Sequence, residues 1–447
     1  MKKILIVGGG YAGFYTAWGL EKRLRSGEAE VTVVEPRPFM TYQPFLPEVA
    51  AGSVEARHVA VSLRGHLTHT NVIAGSVLEL RHADKIAVVR PAEGPDRELH
   101  YDIVVVTAGA VTRTLPIPGI LDEAIGLKTA EEAVAIRDSL LTAFDKASGL
   151  DAGADRRRAL SVTVVGGGFS GVEVFGELLS LATALLKKFP ALSMADLDFH
   201  LIEASHRILP EVSDEPGAWV VRELERRGAH VHLGTRLVSA VGRHVVLSTG
   251  EEYDTSLLVW AAGNASNPLT VRHSDLPTDD RGLLSVQADL RVVDAETGIV
   301  VPDAWGAGDD AAVPDLVQAA PGARAVPNAQ HAVRQGRRLA KNLVLTLRGH
   351  RAVPYLHHNL GVVATLGLGR GVFQYRGFVV KGFLAWVMHR GYHVLAVPTW
   401  ERKVRVLLVW IAALLFGRDI VSLPALQSPR QLFVSGGEPG AISGVKV

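Results

Sequence analysis

At 447 residues, 48% hydrophobic and with 45 glycines, the chain is long enough for two or three packed domains with substantial cores. A net charge of +1 leaves no global pull toward nucleic acid. The absence of cysteine excludes a disulfide scaffold, a thiolate metal site, a redox-active thiol pair and a cysteine nucleophile.

The first apolar run, Lys3-Ile4-Leu5-Ile6-Val7, enters Gly8-Gly9-Gly10-Tyr11-Ala12-Gly13 and then a helical stretch. Such a run into a glycine turn reads as a buried parallel strand, and Gly8, Gly10 and Gly13 have the G-x-G-x-x-G spacing of a dinucleotide fold. Gly8 permits the tight turn, Gly10 lets the backbone approach a pyrophosphate, and Gly13 lets the helix pack close to its strand. A diphosphate then sits at the helix N-terminus. The second apolar strand, Val31 to Val34, closes on Glu35, placed to accept hydrogen bonds from an adenosine ribose. The three glycines break the basic, apolar start too soon for a signal peptide, so a mature cytosolic start is expected.

Residues 36–47 hold four prolines and read as a loop returning across the nucleotide. Residues 71–99 alternate over short runs, which predicts a small antiparallel meander before the strand that ends at Gly109. A helix is expected over 131–144 and a linker over 148–158.

The opening pattern then recurs. Ser161 to Val165 leads into Gly166-Gly167-Gly168-Phe169-Ser170-Gly171, a helix carrying Glu173 and Glu177, a further helix over 178–189, and the strand Phe199-His200-Leu201-Ile202 closing on Glu203. Tyr253-Asp254 through Gly263 matches Tyr101-Asp102 through Gly109, so the chain contains one nucleotide-binding unit twice. Two later regions return to the first nucleotide: Asp280-Arg281-Gly282, and a glycine turn, Gly306-Ala307-Gly308, with Asp309 just beyond it. Pro327 is expected at the first position of a helix running to about Leu347.

From Tyr355 the character changes to apolar, aromatic runs at 378–388 and 404–416, set among Arg370, Arg376, Lys381, Arg390, Arg402, Lys403, Arg405 and Arg418. Both are shorter than the roughly 20 residues of a spanning helix and suit an interface, apolar face down and basic flank toward anionic headgroups. The alternative is a docking helix buried against the body or a dimer partner. The predicted fold class is therefore α/β, two Rossmann-like dinucleotide-binding domains plus a C-terminal helical membrane-associating region. The boundaries fall at 1–120 and 266–350 for a split first domain, 121–265 for the second and 351–447 for the tail.

The twin glycine units, the Gly308-Asp309 turn and the Pro327 helix resemble the two-dinucleotide-domain flavoprotein disulfide reductase superfamily. The Gly171-Val172-Glu173 step, the Pro327-Asn328-Ala329-Gln330-His331-Ala332 helix start and the basic-aromatic tail resemble, more narrowly, the type II NADH dehydrogenases. That resemblance implies a single-chain NADH:quinone oxidoreductase on the cytoplasmic face of the cell membrane, with FAD in the first unit and NADH in the second. Carried over, Gly8, Gly10, Gly13, Glu35 and Gly109 bind FAD, with Asp309 on its ribityl chain, and Gly166, Gly168, Gly171 and Glu203 bind NADH. Independently, a carboxylate at Glu203 accepts a ribose 2′-OH and repels a 2′-phosphate, although His206-Arg207 lies just beyond it.

Two residues are candidates for catalysis. Glu173 lies in the first turn of the second glycine-loop helix, where an acid also complements the helix dipole; in the resembled family a glutamate here faces nicotinamide and flavin. Gln330 matches the first glutamine of the family's A-Q-x-A-x-Q quinone pattern, but position 334 is arginine and Gln335 stands one step along. His331 is expected on the surface, and Arg370 falls where the family often carries a basic residue. The histidines, including His357-His358 and the pair His389 and His393, lack partners at ligand spacing, so no metal site is expected and the latter pair joins the basic flank. Membrane quinone and an anionic membrane surface are the expected partners, with a homodimer left open. The rivals are a soluble NAD(P)H-dependent ferredoxin or rubredoxin reductase and a flavin-binding protein that senses NADH.

Overall fold

The computed structural model describes residues 1–317, 322–357, 361–422 and 430, and it divides into two compact units. The first comprises residues 1–43, 60–113 and 263–360, and the second 44–59, 114–262 and 361–447. His358, and the part of the tail beyond 422 apart from 430, lie outside the described residues.

In the first unit an eight-stranded sheet is centred on Lys2–Val7. That strand pairs in parallel with Ala29–Glu35 on one side and Ile103–Val106 on the other, with Ile4 opposite Val31 and Ile103. Its last four residues are buried, as a strand covered on both faces requires. The meander is present as Asn71–Arg81, Ile86–Pro91 and Arg97–His100, the first of these also running parallel to Ala29–Glu35. Val300–Gly306 adds beside Ile103–Val106 and brings the glycine turn to the same sheet end.

Helix Tyr11–Glu21 crosses helix Ala329–Leu347 through small residues. A methyl at Gly336 would stand 2.4 Å from the Ala12 carbonyl oxygen, and Thr16 donates to the Gly336 carbonyl at 3.2 Å. The second helix begins two residues later than the proline predicts. Asn328 is its N-cap, accepting from the His331 N–H at 2.9 Å, and Pro327 lies outside it.

In the second unit a five-stranded parallel sheet runs in the order Ala124–Gly126, Leu257–Trp260, Ser161–Val165, Asp198–Ile202, Ala229–His232. A three-stranded meander, Leu237–Ser239, His244–Leu247 and Glu252–Asp254, packs around a core of Ile202, Val245, Leu258 and Trp260. Two expectations change here. The helix after the second glycine loop is continuous over Phe169–Leu185, and the expected linker holds a short helix, Ala154–Ala159, formed by its Arg and Ala residues.

Two further segments pack into this unit. Leu46–Ala50, inside the proline-rich loop, forms a short helix against helices Ala130–Ser148 and Phe169–Leu185. The tail contributes a sheet, Val362–Thr365, Gly371–Tyr375 and Phe378–Lys381, then helices Phe383–Ala396 and Trp400–Phe416. The first apolar run of the tail thus starts as a strand. The tail sheet fits tightly: a methyl at Gly176 would meet the Leu366 backbone at 2.7 Å.

Candidate active site

The two glycine loops have the same internal geometry. Gly8 and Gly166 turn with φ of +96° and +116°, where a side chain would be strained. A methyl at Gly13 would stand 1.9 Å from the Gly8 carbonyl oxygen, and one at Gly171 the same 1.9 Å from that of Gly166. Glycine is therefore required at both helix–strand approaches. By contrast, Gly10 and Gly168 are the helix N-caps, have no side-chain cap, and would point a methyl into open space. Each helix so presents uncapped N–H groups, with no acid in its first four positions to oppose an anion. That is the cradle a dinucleotide diphosphate needs, built twice.

The strand-ending glutamates brace these loops. Glu35 accepts from the Gly9 N–H at 2.7 Å and Glu203 from the Gly167 N–H at 2.6 Å. The other carboxylate oxygens accept from Arg37 N–H at 3.2 Å and Ser205 N–H at 2.7 Å. Burial raises the Glu35 pKa against the pull of its two N–H donors. Carboxylate oxygens each accept more than one bond, so a ribose hydroxyl can share them. Arg207, beyond Glu203, is ion-paired to Asp214 at 2.6 Å.

In the first unit the glycine turn comes against the loop helix: Gly308 has φ +90°, and a methyl there would lie 3.3 Å from the Ala12 side chain. Asp309 is half-buried beside it. Its neighbour Asp310 is fully buried, accepts from the Thr270 hydroxyl at 2.7 Å, and has its pKa pushed up to about 7 by burial. Gly109 turns with φ +69° and also faces open space.

Gln330 is half-buried and accepts from Arg334 at 3.4 Å. Gln335, one step out of the family pattern, is buried and accepts from the Gly308 N–H at 2.8 Å, so it braces the glycine turn. His331 departs from the surface position expected of it. It is buried, with Nδ1 2.9 Å from the Tyr355 hydroxyl, because the stretch of chain at Tyr355 folds back over the helix start.

In the second unit Glu173 is the fifth residue of its helix, past the first turn expected for it, and is buried rather than a solvated dipole partner. One oxygen accepts from the Thr365 N–H at 3.1 Å and lies 3.1 Å from Nε2 of His389. Burial pushes the Glu173 pKa up to about 8 and that of His389 down to about 3, so both are neutral at pH 7. Nδ1 of His389 faces Glu48 at 3.9 Å, and Glu48 has its own pKa raised to about 7, again chiefly by burial. Neither Glu48 oxygen nor that Nδ1 has a hydrogen-bond partner among the described residues.

The cluster is bounded by Arg390, 3.7 Å from Glu48 and lying over the rings of Trp386 and Trp410, and by Arg418, 3.3 Å from Glu177. His393 lies beside His389 with ring centres 4.4 Å apart, its pKa held down by burial. Four residues expected in the basic flank, His389, Arg390, His393 and Arg418, therefore point inward: His389 faces Glu173 and Glu48, Arg390 faces Glu48, Arg418 faces Glu177, and His393 packs on His389 and Phe45. Arg370 is paired with Glu223 at 2.9 Å. Glu48 escapes the sequence reading, although a lone acid in the apolar run Phe45 to Ala51 is its signal.

A family model described as pyridine nucleotide-disulphide oxidoreductase matches residues 2–336. The chain belongs to the pyridine nucleotide-disulphide oxidoreductase family. Within this family it is similar to a probable NADH dehydrogenase of Dictyostelium discoideum, 27% identical over 94% of this chain and 91% of the relative. It is also 25% identical to the type II NADH:quinone oxidoreductase Ndh of Mycobacterium tuberculosis, over 93% of this chain and 89% of the other. In fold it matches NDH2 from Plasmodium falciparum, solved in complex with NADH, with a TM-score of 0.84, 18% identity, and coverage of 94% of this chain and 99% of that one. The resemblance to type II NADH dehydrogenases and the α/β fold class read from the sequence are both borne out.

Two outcomes are expected from this geometry. Gly168→Ala should leave the urea midpoint nearly unchanged yet weaken NADH binding at least about tenfold by calorimetry. Gly171→Ala should instead lower stability by about 1–3 kcal/mol. Glu173→Gln keeps both hydrogen-bond contacts and tests its neutral state. In the native protein the Glu173 contribution to stability should fall as pH rises from about 4.5 to about 8, because the unfolded chain releases a proton that folded Glu173 retains; His389, with its pKa lowered, contributes the opposite slope up to about pH 6.5 in both native protein and variant. The variant should lack that component, at most about 1.4 kcal/mol per pH unit, so its advantage in urea should grow from pH 5 to pH 8.

Proposed function

We propose that this chain is an FAD-dependent NADH:quinone oxidoreductase, with FAD held by the first glycine unit and NADH by the second. Relatives carry the name type II NADH:quinone oxidoreductase, and both cradles fit a dinucleotide. Gly8, Gly10, Gly13, Glu35 and Gly109 hold the FAD adenosine diphosphate and its surroundings, Asp309 its ribityl chain, and Gly166, Gly168, Gly171 and Glu203 hold NADH. The Glu203 carboxylate favours a free 2′-OH, and the pairing of Arg207 with Asp214 leaves that arginine poorly placed to offset the repulsion of a 2′-phosphate. Bound FAD supplies the redox chemistry, taking a hydride from NADH and returning two electrons to quinone.

The residues of the chain supply position and protons. The balance is NADH + H⁺ + quinone giving NAD⁺ + quinol, so one proton per turnover comes from the protein side. The observation that carries the reading is Glu173: a carboxyl two residues beyond the last glycine of its loop, neutral at pH 7, with His389 between it and a second buried carboxyl, Glu48, whose pKa is raised to about 7. When Glu173 gives up its proton, Nε2–H of His389 replaces it and Nδ1 takes one from Glu48. The 3.9 Å gap between Nδ1 and Glu48 closes by about 1 Å for that transfer. Gln330, half-buried near the helix start, is the second candidate residue, on the quinone side.

The tail favours a membrane quinone over a small protein acceptor. Among the described residues no helix is long and apolar enough to cross a membrane. Yet Trp400, Val404, Leu407, Leu408, Ile411 and Leu415 are exposed along one face of their helix at helical spacing, 41–77% accessible, and Phe383, Leu384 and Val387 are exposed on the preceding helix. An apolar stripe this continuous suits shallow burial in a lipid interface, the cytoplasmic leaflet being the proposed one.

Anaerobic stopped-flow tests the function. NADH should reduce the bound flavin, and a short-chain quinone should reoxidise it at about 10 per second or faster. His389→Leu should leave the reductive phase intact and slow reoxidation at least about tenfold; reduction without reoxidation in the native protein would reject the quinone reading. Leu408→Glu with Leu415→Glu should abolish sedimentation with anionic vesicles while retaining bound FAD. Continued pelleting would place the anchor elsewhere.

A further inference from the structure

Three histidines and two carboxylates outside the site above gather at the edge of the second unit's parallel sheet. Asp198 and His200 are two apart on one strand, and His230 and His232 two apart on its edge neighbour. Alternation puts each pair on one face, and the register sets His200 beside His230, so all four share a face. Sequence spacing hides this, because the pairs are 30 residues apart and only the parallel register brings them together.

The donor atoms have a directional arrangement. Nε2 of His200 lies 2.9 Å from Oδ1 of Asp198, and Nε2 of His230 lies 3.7 Å from the same oxygen. These three residues each offer a donor atom, and the three atoms fall within 4.8 Å of one another. Tetrahedral ligands at 2.0–2.1 Å bond lengths stand roughly 3.3 Å apart, so small adjustments close the set. The exposed His230 side chain can make them, whereas His200 is fixed by stacking on Tyr253 at 3.8 Å.

The far side of His200 is held as well. Its Nδ1 lies 3.0 Å from Nε2 of His232, whose Nδ1 faces Glu251 at 3.6 Å. With Nδ1–H of His200 donating to His232, Nε2 carries its lone pair toward Asp198 and His230. A histidine held this way by a second-layer acceptor is how proteins orient a metal-binding imidazole.

We propose that Asp198, His200 and His230 form a binding site for a divalent transition cation, oriented by His232 and Glu251, with the remaining coordination positions open to water. Nitrogen and carboxylate donors with no thiolate suit Zn²⁺, Co²⁺ or Ni²⁺ over Ca²⁺ or Mg²⁺. A bound ion would clip the edge strand to its neighbour.

The test uses the full-length, FAD-loaded protein with any affinity tag removed, titrated with Zn²⁺ against a chromophoric chelator and with Co²⁺ by visible absorption. One equivalent should bind, with Co²⁺ bands of a low-coordinate site and a raised melting temperature. His230→Ala and Asp198→Asn should each weaken Zn²⁺ at least about tenfold, His232→Ala by about 10–100-fold, and the exposed His69→Ala not at all. FAD content checks folding; should Asp198→Asn lose it, the surface change His230→Ala decides alone. No stoichiometric binding by the native protein, or binding undiminished in His230→Ala, overturns the site. None of these readouts depends on turnover with NADH or quinone.

Discussion

Everything in the two nucleotide units follows from how closely a helix must approach the end of a strand. At Gly13 and Gly171 the space for a methyl is already taken, 1.9 Å from a carbonyl oxygen of the same loop. That approach aims the first N–H groups of each helix at the loop mouth, where Gly10 and Gly168 leave room. The glutamate at the end of the next strand then fixes the middle glycine, so loop, helix and carboxylate form one rigid piece. Because the constraint is steric and local, it repeats with little change on two different sheets.

What differs between the copies lies one turn further along the helix. In the first unit that turn offers Phe14, Tyr15 and Thr16, and the helix buries against a second helix through Gly336. In the second unit the corresponding stretch carries Glu173 and Glu177, and the tail and the Leu46–Ala50 segment close over them. Burying three carboxyls together is tolerable only if their charge is removed or matched. Glu177 is matched by Arg418 and the Thr365 hydroxyl, Glu173 is kept neutral, and Glu48 has its pKa raised to about 7 with Arg390 3.7 Å away. The same environment that raises these two pKa values makes Glu173 and Glu48 proton donors near physiological pH.

The strands, glycine loops and meander were legible because each rests on a local rule: apolar runs, a positive φ, or alternation. Fates decided by distant partners were not. Arg390 and Arg418 lie in a basic stretch, and such a run reads as a solvated face; their acids, Glu48 and Glu177, are more than 200 residues earlier. His331 looked peripheral beside Gln330, yet the hydroxyl that satisfies it arrives from Tyr355. Gln335 seemed displaced from a quinone pattern, when its partner is a backbone N–H in a turn 27 residues before it. In each case the sequence showed a polar side chain but not the group that would offset its desolvation.

The inward turn of these cations also reshapes the tail. With Arg390 and Arg418 committed to buried acids, the cationic part of the outer surface narrows to residues such as Arg376, Lys403 and Arg405, and Arg405 is itself paired with Glu401 at 2.7 Å. The attraction of an anionic surface is correspondingly reduced, since exposed, self-paired charges contribute little at physiological salt. The exposed stripe from Trp400 to Leu415 then supplies more of the attraction than the charges do, at about 25 cal/mol for each Å² of apolar surface covered. The proposed lipid association should therefore resist salt and depend on burying that face, so that the two tail helices, rather than their basic neighbours, would carry it.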